Sequence, residues 1–239
     1  MKFETKEIEG YKYVSAFYNY TSDKEVLDSI LAKVEVLNAN VNKHSSGGEV
    51  RSSEIRKNKL AGGLLAEHAF LELITQLTKK HNMQFEMLGS TFSQDGDLES
   101  MGFNQIDLSV ILKKKKLEME VRSSYSYKTS FERLLGFPLI NDKGAFSLIG
   151  WYVSQNKPNE VKKDFYIFAI HYYNPSDTIQ RFKNSVEINI VAIASKDTLQ
   201  KLGYNDNLKQ EGALFRIINP INSISDVVDV LKKLIIVDI

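Results

Sequence analysis

Three carboxylates and an arginine crowd one short stretch of the chain. Residues 104 to 127 read NQIDLSVILKKKKLEMEVRSSYSY and carry Asp107, Glu118, Glu120 and Arg122. On either side of the lysine run, polar and apolar residues alternate, which predicts two strands joined as a hairpin. A two-residue turn at Lys114-Lys115 sets Ile111 opposite Glu118, Ser109 opposite Glu120 and Asp107 opposite Arg122. Opposed residues of an antiparallel pair share a face, so the four charged groups project together. Ile106, Leu108 and Val110 fall on the other face with Leu117, Met119 and Val121, the face for a core. Two carboxylates held close on rigid strands repel one another unless a cation lies between them. Mg²⁺ suits such a pair, because it takes carboxylate oxygens and keeps several waters. A cation held there acidifies water and offsets charge on a phosphate. Arg122 is placed to hold that phosphate or to position the attacking water.

The elements that must position this hairpin can be read along the chain. Residues 2–8 and 11–18 form a hairpin turning at Glu9-Gly10, and Ser22-Asp23 caps a helix running to about Asn38. The polar, Gly/Ser-rich residues 42–53 read as a loop. A long helix follows from about Ser53 to Lys80, with Leu60, Leu64, Phe70, Leu71, Ile74 and Leu77 at helical spacing. Gly62-Gly63 inside it costs helix stability, which predicts a close approach by another element. Strands are expected at 84–88, 105–112 and 116–122, with an acidic loop at 93–102. Residues 126–135 and 144–154 read as short helices or irregular structure. The apolar run 164–173 (DFYIFAIHYY) reads as a buried central strand. Residues 187–194 and 213–218 read as further strands, 195–202 as a capped helix and 225–234 as an amphipathic one. The class is α/β, a mixed central sheet flanked by helices. One domain spans 1–239, with 1–52 as an elaboration of a core beginning near residue 53.

Other candidate groups carry weaker signals. Lys113 to Lys116 reads as a solubilising turn, since lysines gather at exposed hairpin ends. Glu118, at the strand start, reads as facing solvent. Asp95 and Asp97 are the rival metal carboxylates. His44, His68, His81 and His171 show no zinc-like spacing, and Gly62-Gly63 lacks the Lys-Ser/Thr of a phosphate loop. Residues 122–133 (RSSYSYKTSFER) mix cations, hydroxyls and aromatic rings. Arg122, Ser123, Ser124, Tyr125, Tyr127, Lys128 and Arg133 thus suit phosphate and base contacts.

The order of these elements resembles the PD-(D/E)xK nucleases, in particular the type II restriction endonucleases. In that family a helix bearing Glu precedes a strand with Asp and a neighbouring strand with (D/E)-x-K. Asp107 matches the family's Asp, Glu120-Val121-Arg122 matches the tripeptide, and Glu67 in AGGLLAEHAF resembles the helix Glu. The resemblance covers about residues 55–235. It implies a restriction-endonuclease-like core in which Asp107 and Glu120 hold Mg²⁺, or Mn²⁺ in its place, with Arg122 and Glu67 completing the catalytic group. Two departures stand out: no proline precedes Asp107, and Arg122 replaces the family's lysine. Arginine does not give up its proton, so residue 122 can act by charge but not as a base. Lys128 is a candidate to compensate.

The bulk composition sets outer bounds. Among 239 residues there is no cysteine, which excludes disulfides, thiol nucleophiles and Cys-ligated metals. A net charge of +1 excludes a globally basic DNA binder but permits a local basic cleft. With neither a signal-peptide core nor an apolar run long enough to span a bilayer, the expectation is a soluble cytoplasmic protein without a membrane partner. The expected activity is Mg²⁺-dependent hydrolysis of double-stranded DNA by a sequence-specific restriction enzyme. A homodimer is the simplest match to a two-fold symmetric duplex. The alternatives are a structure-selective repair or recombination nuclease, a non-catalytic nucleic-acid-binding module on the same core, and a plain interaction protein.

Overall fold

The computed structural model describes residues 1–40, 52–90, 107–137, 145–153, 161–208 and 214–235. Its centre is a seven-stranded mixed sheet of order β1-β2-β8-β7-β5-β4-β3. The strands are β1 (Lys2–Ile8), β2 (Tyr11–Asn19), β3 (Phe85–Ser90), β4 (Leu108–Leu112), β5 (Lys115–Tyr125), β7 (Phe165–His171) and β8 (Ser185–Ser195). Every neighbouring pair is antiparallel except β5 and β7, which run parallel. A three-stranded sheet of order β6-β10-β9 comprises β6 (Leu148–Tyr152), β9 (Tyr204–Asp206) and β10 (Phe215–Ile218).

Burial follows sequence pattern strand by strand. From Tyr166 to His171, β7 is buried without interruption, and β8 is nearly so, as strands covered on both faces must be. By contrast β1, KFETKEI, alternates charge along a sheet edge, which discourages pairing with another chain. Its hairpin partner β2 carries the buried Tyr11, Tyr13 and Tyr18 and pairs with β8, so the N-terminal hairpin extends the central sheet.

Six helices accompany the sheets among the described residues: α1 (Tyr20–Asn40), α2 (Ser53–Lys80), α3 (Phe131–Leu135), α4 (Thr178–Phe182), α5 (Lys196–Leu202) and α6 (Val227–Ile235). The α2 helix packs on α1, β5 and β8, while α6 packs on β2 and β8. Ser52 caps α2 by accepting from the Ile55 N–H at 3.3 Å, and Ser195 caps α5 by accepting from the Thr198 N–H at 3.1 Å. Asp23 lies in non-helical geometry inside α1, where its Oδ2 accepts from the Asn19 N–H at 2.8 Å. None of the described helices is long and apolar enough to cross a membrane.

Four expectations change. The hairpin turn is at Lys113-Lys114, with φ of 50° and 67°, rather than at Lys114-Lys115. This is the doubly left-handed geometry that matches strand twist in a two-residue hairpin. Residues 148–152 form β6 instead of helix or coil, because they pair with β10. The first helix begins at Tyr20, with Asp23 inside it, rather than after a Ser22-Asp23 cap, and the short α4 and β9 lie in stretches for which no element was expected. Residues 42–51 and 93–102, including His44, Asp95 and Asp97, lie outside the described residues, as does Ile106.

Candidate metal site at the head of β4

The turn position decides which residues face each other. With Leu112 opposite Lys115 and Leu108 opposite Met119, the ladder leads Asp107 to the place opposite Glu120. The shift from the expected register is even, so the faces do not exchange. Leu108, Val110, Leu112, Leu117, Met119 and Val121 are all buried. Asp107, just before β4 begins, shares its face with Glu118, Glu120 and Arg122.

Asp107 is held in place by the strand beside it. Its Oδ2 accepts the Val121 N–H at 2.7 Å, satisfying β5 where the β4 ladder stops. The side chain is only 6% exposed. Burial, and secondarily the negative charge of Glu120, push its carboxyl up to about 7. The Val121 N–H and the charges of Arg122 and Lys163 act in the opposite direction. Glu120 and Asp107 therefore interact strongly, and a cation between them would relieve both burial and repulsion.

Arg122 engages the same pair. Its Nη2 and Nε lie 2.6 Å and 2.7 Å from Glu120 Oε1. The two residues are two apart on one strand and so emerge on one face. Glu118 makes an exposed bridge from Oε1 to Lys116 Nζ at 3.1 Å, away from the pair.

Lys163, not singled out from the sequence, is 1% exposed and carries a charge felt by Asp107. Its backbone N–H donates to Tyr166 Oη at 3.0 Å, and Tyr166 pairs with Glu120 across the β5–β7 ladder. The next residue is tied to β5 twice: Asp164 N–H donates to Glu118 O, and Asp164 Oδ2 accepts the Glu118 N–H, both at 2.8 Å. A lysine before a strand carries no sequence signal of burial; only this docking reveals it.

The remaining expected site residues are dispersed. Glu67 is buried in α2, but no cluster of three or more His, Asp or Glu able to hold a metal forms among the described residues. It therefore does not complete a three-carboxylate group with Asp107 and Glu120. Ser123 and Ser124 are half-buried in β5, in register with Ala169 and Ile170. Tyr125 is engaged in the interior: its hydroxyl donates to Asn58 O at 3.0 Å and its ring stacks on His171 at 4.6 Å. Tyr127, Lys128 and Arg133 are exposed, with Lys128 Nζ 5.4 Å from the Tyr127 ring centre. Lys128 extends over that ring.

The glycine pair in α2 has the close approach that its cost implied. A Cβ on Gly62 would lie 1.9 Å from Tyr125 Oη and 2.9 Å from His171 Nε2. Gly62 O accepts from His171 Nε2 at 3.0 Å, and Tyr173 Oη meets Nδ1 at 3.0 Å. Both ring nitrogens of that imidazole are thus engaged within the interior.

No family model matches the chain. It is similar to "Uncharacterized protein MJECS01" of Methanocaldococcus jannaschii, 26% identical over 239 residues, covering 89% of this chain and 83% of the relative. No solved structure matches.

Two carboxylates meet the minimum that Mg²⁺ requires of a protein when water and phosphate complete its shell. The buried Asp107 and half-buried Glu120 thus fit a divalent cation.

Proposed function

We propose that the protein is a Mg²⁺-dependent endonuclease that hydrolyses phosphodiester bonds of double-stranded DNA, as a sequence-specific restriction enzyme with a restriction-endonuclease-like core. The observation that carries this reading is the buried Asp107 beside Glu120, two mutually repelling carboxylates where the start of β4 meets the middle of β5. Its context adds support. A helix containing Glu67, a strand entered at Asp107 and a neighbouring strand with Glu120-Val121-Arg122 follow one another in a mixed sheet. That is the order the PD-(D/E)xK resemblance implies.

Asp107 and Glu120 would hold Mg²⁺, with Mn²⁺ able to replace it. When bound, such a cation supplies Lewis acidity, acidifying water and offsetting charge on the phosphate. The chain's own part is positioning. The Val121 N–H fixes Asp107, and Arg122 fixes Glu120 through Oε1. The exposed Tyr127, Lys128 and Arg133 are suited to contact the DNA backbone. Two copies would meet the two strands of a symmetric site.

One observation favours a second reading. Because Arg122 bridges to Glu120, the site is already partly neutralised, as it would be in a non-catalytic nucleic-acid-binding module. Supercoiled plasmid incubated with protein and Mg²⁺ separates these readings. Discrete linear fragments are expected of the restriction enzyme, and nicks or smears of a structure-selective nuclease. Intact plasmid retained in a salt-dependent manner would favour the binding module.

A further inference from the structure

We propose that Lys163 supplies the working positive charge of this site, a part that Arg122, engaged with Glu120, does not take. The assignment rests on the nuclease reading of Asp107 and Glu120, and identifies a residue for that same chemistry.

Lysine is among the residues least often fully buried, because its ammonium must be compensated when removed from water. Lys163 is nonetheless one of the largest fully buried side chains among the described residues. Its backbone is anchored at its own N–H and at the residue that follows. The Tyr166 hydroxyl accepts from its own N–H. Asp164 is pinned to Glu118 through two hydrogen bonds, and the Lys196 N–H donates to Asp164 O at 2.9 Å. Tyr166 in turn stands beside Glu120 in the parallel ladder. The loop before β7 therefore delivers Lys163 next to the strand that carries Glu120.

Arg122 and Lys163 differ in what their charges can do. The Arg122 guanidinium is 20% exposed and lies at ion-pair distance from Glu120, so its field is partly cancelled and partly screened. The Lys163 ammonium stands in a drier setting, where a fixed charge acts more strongly on neighbouring anions. A phosphodiester brought to two carboxylates adds negative charge to an acidic site. A rigid buried cation in the loop before the adjacent strand opposes that accumulation without reorganising.

The test compares wild type with Lys163→Met and Lys163→Arg, using plasmid cleavage with Mg²⁺ and calorimetric titration of Mn²⁺ without DNA. Lys163→Met should slow cleavage by about 100-fold or more, on the scale of losing one charge-stabilising group. Its Mn²⁺ affinity should stay the same or increase, since a positive charge has been removed beside the carboxylates. Lys163→Arg should recover part of the rate. Cleavage by Lys163→Met within threefold of wild type would overturn the assignment, as would parallel loss of Mn²⁺ binding and cleavage. If Lys163→Met does not fold, Tyr166→Phe decides. It removes the acceptor that holds the Lys163 backbone and should slow cleavage by about 10-fold with Mn²⁺ affinity unchanged; an unchanged rate would overturn the assignment. A wild-type protein that neither binds Mn²⁺ nor cuts DNA overturns the nuclease reading and this assignment together. A wild type that cuts beside a Lys163→Met that also cuts overturns this assignment alone.

Discussion

Asp107 accepts the Val121 N–H at 2.7 Å, and that single bond fixes its carboxylate beside the residue that follows Glu120. A buried acid thus takes over from the β4 ladder just where β4 ends. The arrangement satisfies a backbone donor, but it holds Asp107 against a second carboxylate in a poorly solvated place. A structure organised only for stability would gain by replacing one of the two.

The first consequence concerns stability without metal. The Asp107 carboxyl lies at about 7 in the folded protein against 3.8 ordinarily, chiefly because burial disfavours its charge. Between those values the folded chain holds a proton that the unfolded chain has released, so stability falls as pH rises through this window. Asp107→Asn removes the penalty and can still accept from Val121. The variant should exceed wild type by a few kcal/mol at pH 8, since each tenfold change in proton affinity is worth about 1.4 kcal/mol. The difference should disappear near pH 4, as measured by urea unfolding at both pH values. A variant less stable than wild type at pH 8 would contradict the assigned electrostatics.

The same proton competes with a cation. Mn²⁺ affinity should strengthen from pH 5 to about 7, with proton release on binding, and level off above that. Calorimetry in two buffers of different ionisation enthalpy measures the protons directly. Affinity independent of pH over this range would place the ion elsewhere.

His171 gives the opposite sign. Burial lowers its imidazole to about 4 from the usual 6.5, so it folds neutral. Between these values the unfolded chain binds the extra proton, and stability falls as pH drops through the window. Since Asp107 gains stability over much of the same range, the trend should be read in Asp107→Asn. There, stability should decline from pH 6.5 to 4, and adding His171→Gln should flatten that decline.

Gly62→Ala should destabilise the protein by about 3 kcal/mol, the scale of overpacking a close contact. The added Cβ would meet Tyr125 Oη at 1.9 Å and displace the ring stacked on His171. Gly63→Ala, with nothing within 4 Å of its Cβ, should be neutral or slightly stabilising by helix propensity. Paired urea titrations compare the two, and equal effects would refute the packing account.

How much of this was legible depends on the kind of signal. The faces of β4 and β5 follow from strict alternation, so Asp107, Glu120 and Arg122 were assigned to one side from sequence alone. The register was not, because four consecutive lysines look alike and only positive φ at Lys113 and Lys114 marks the turn. The buried strands β7 and β8 announce themselves as long apolar runs, and Ser195 announces a helix start. By contrast β6 depends on a partner more than sixty residues away along the chain, which local pattern does not contain. Lys163 and the interior position of Tyr125 are likewise products of docking. Types such as Lys and Tyr serve equally well on a surface, so their identity gave no warning.

The most direct measurement is Mn²⁺ binding by electron paramagnetic resonance on the wild-type protein, Asp107→Asn and Glu120→Gln, each checked for folding. We expect wild type to bind Mn²⁺ in competition with Mg²⁺, and each substitution to weaken binding by at least about 10-fold, as loss of an anionic ligand should. Undiminished binding in either folded variant, or none in wild type, would contradict a divalent site built on these two carboxylates.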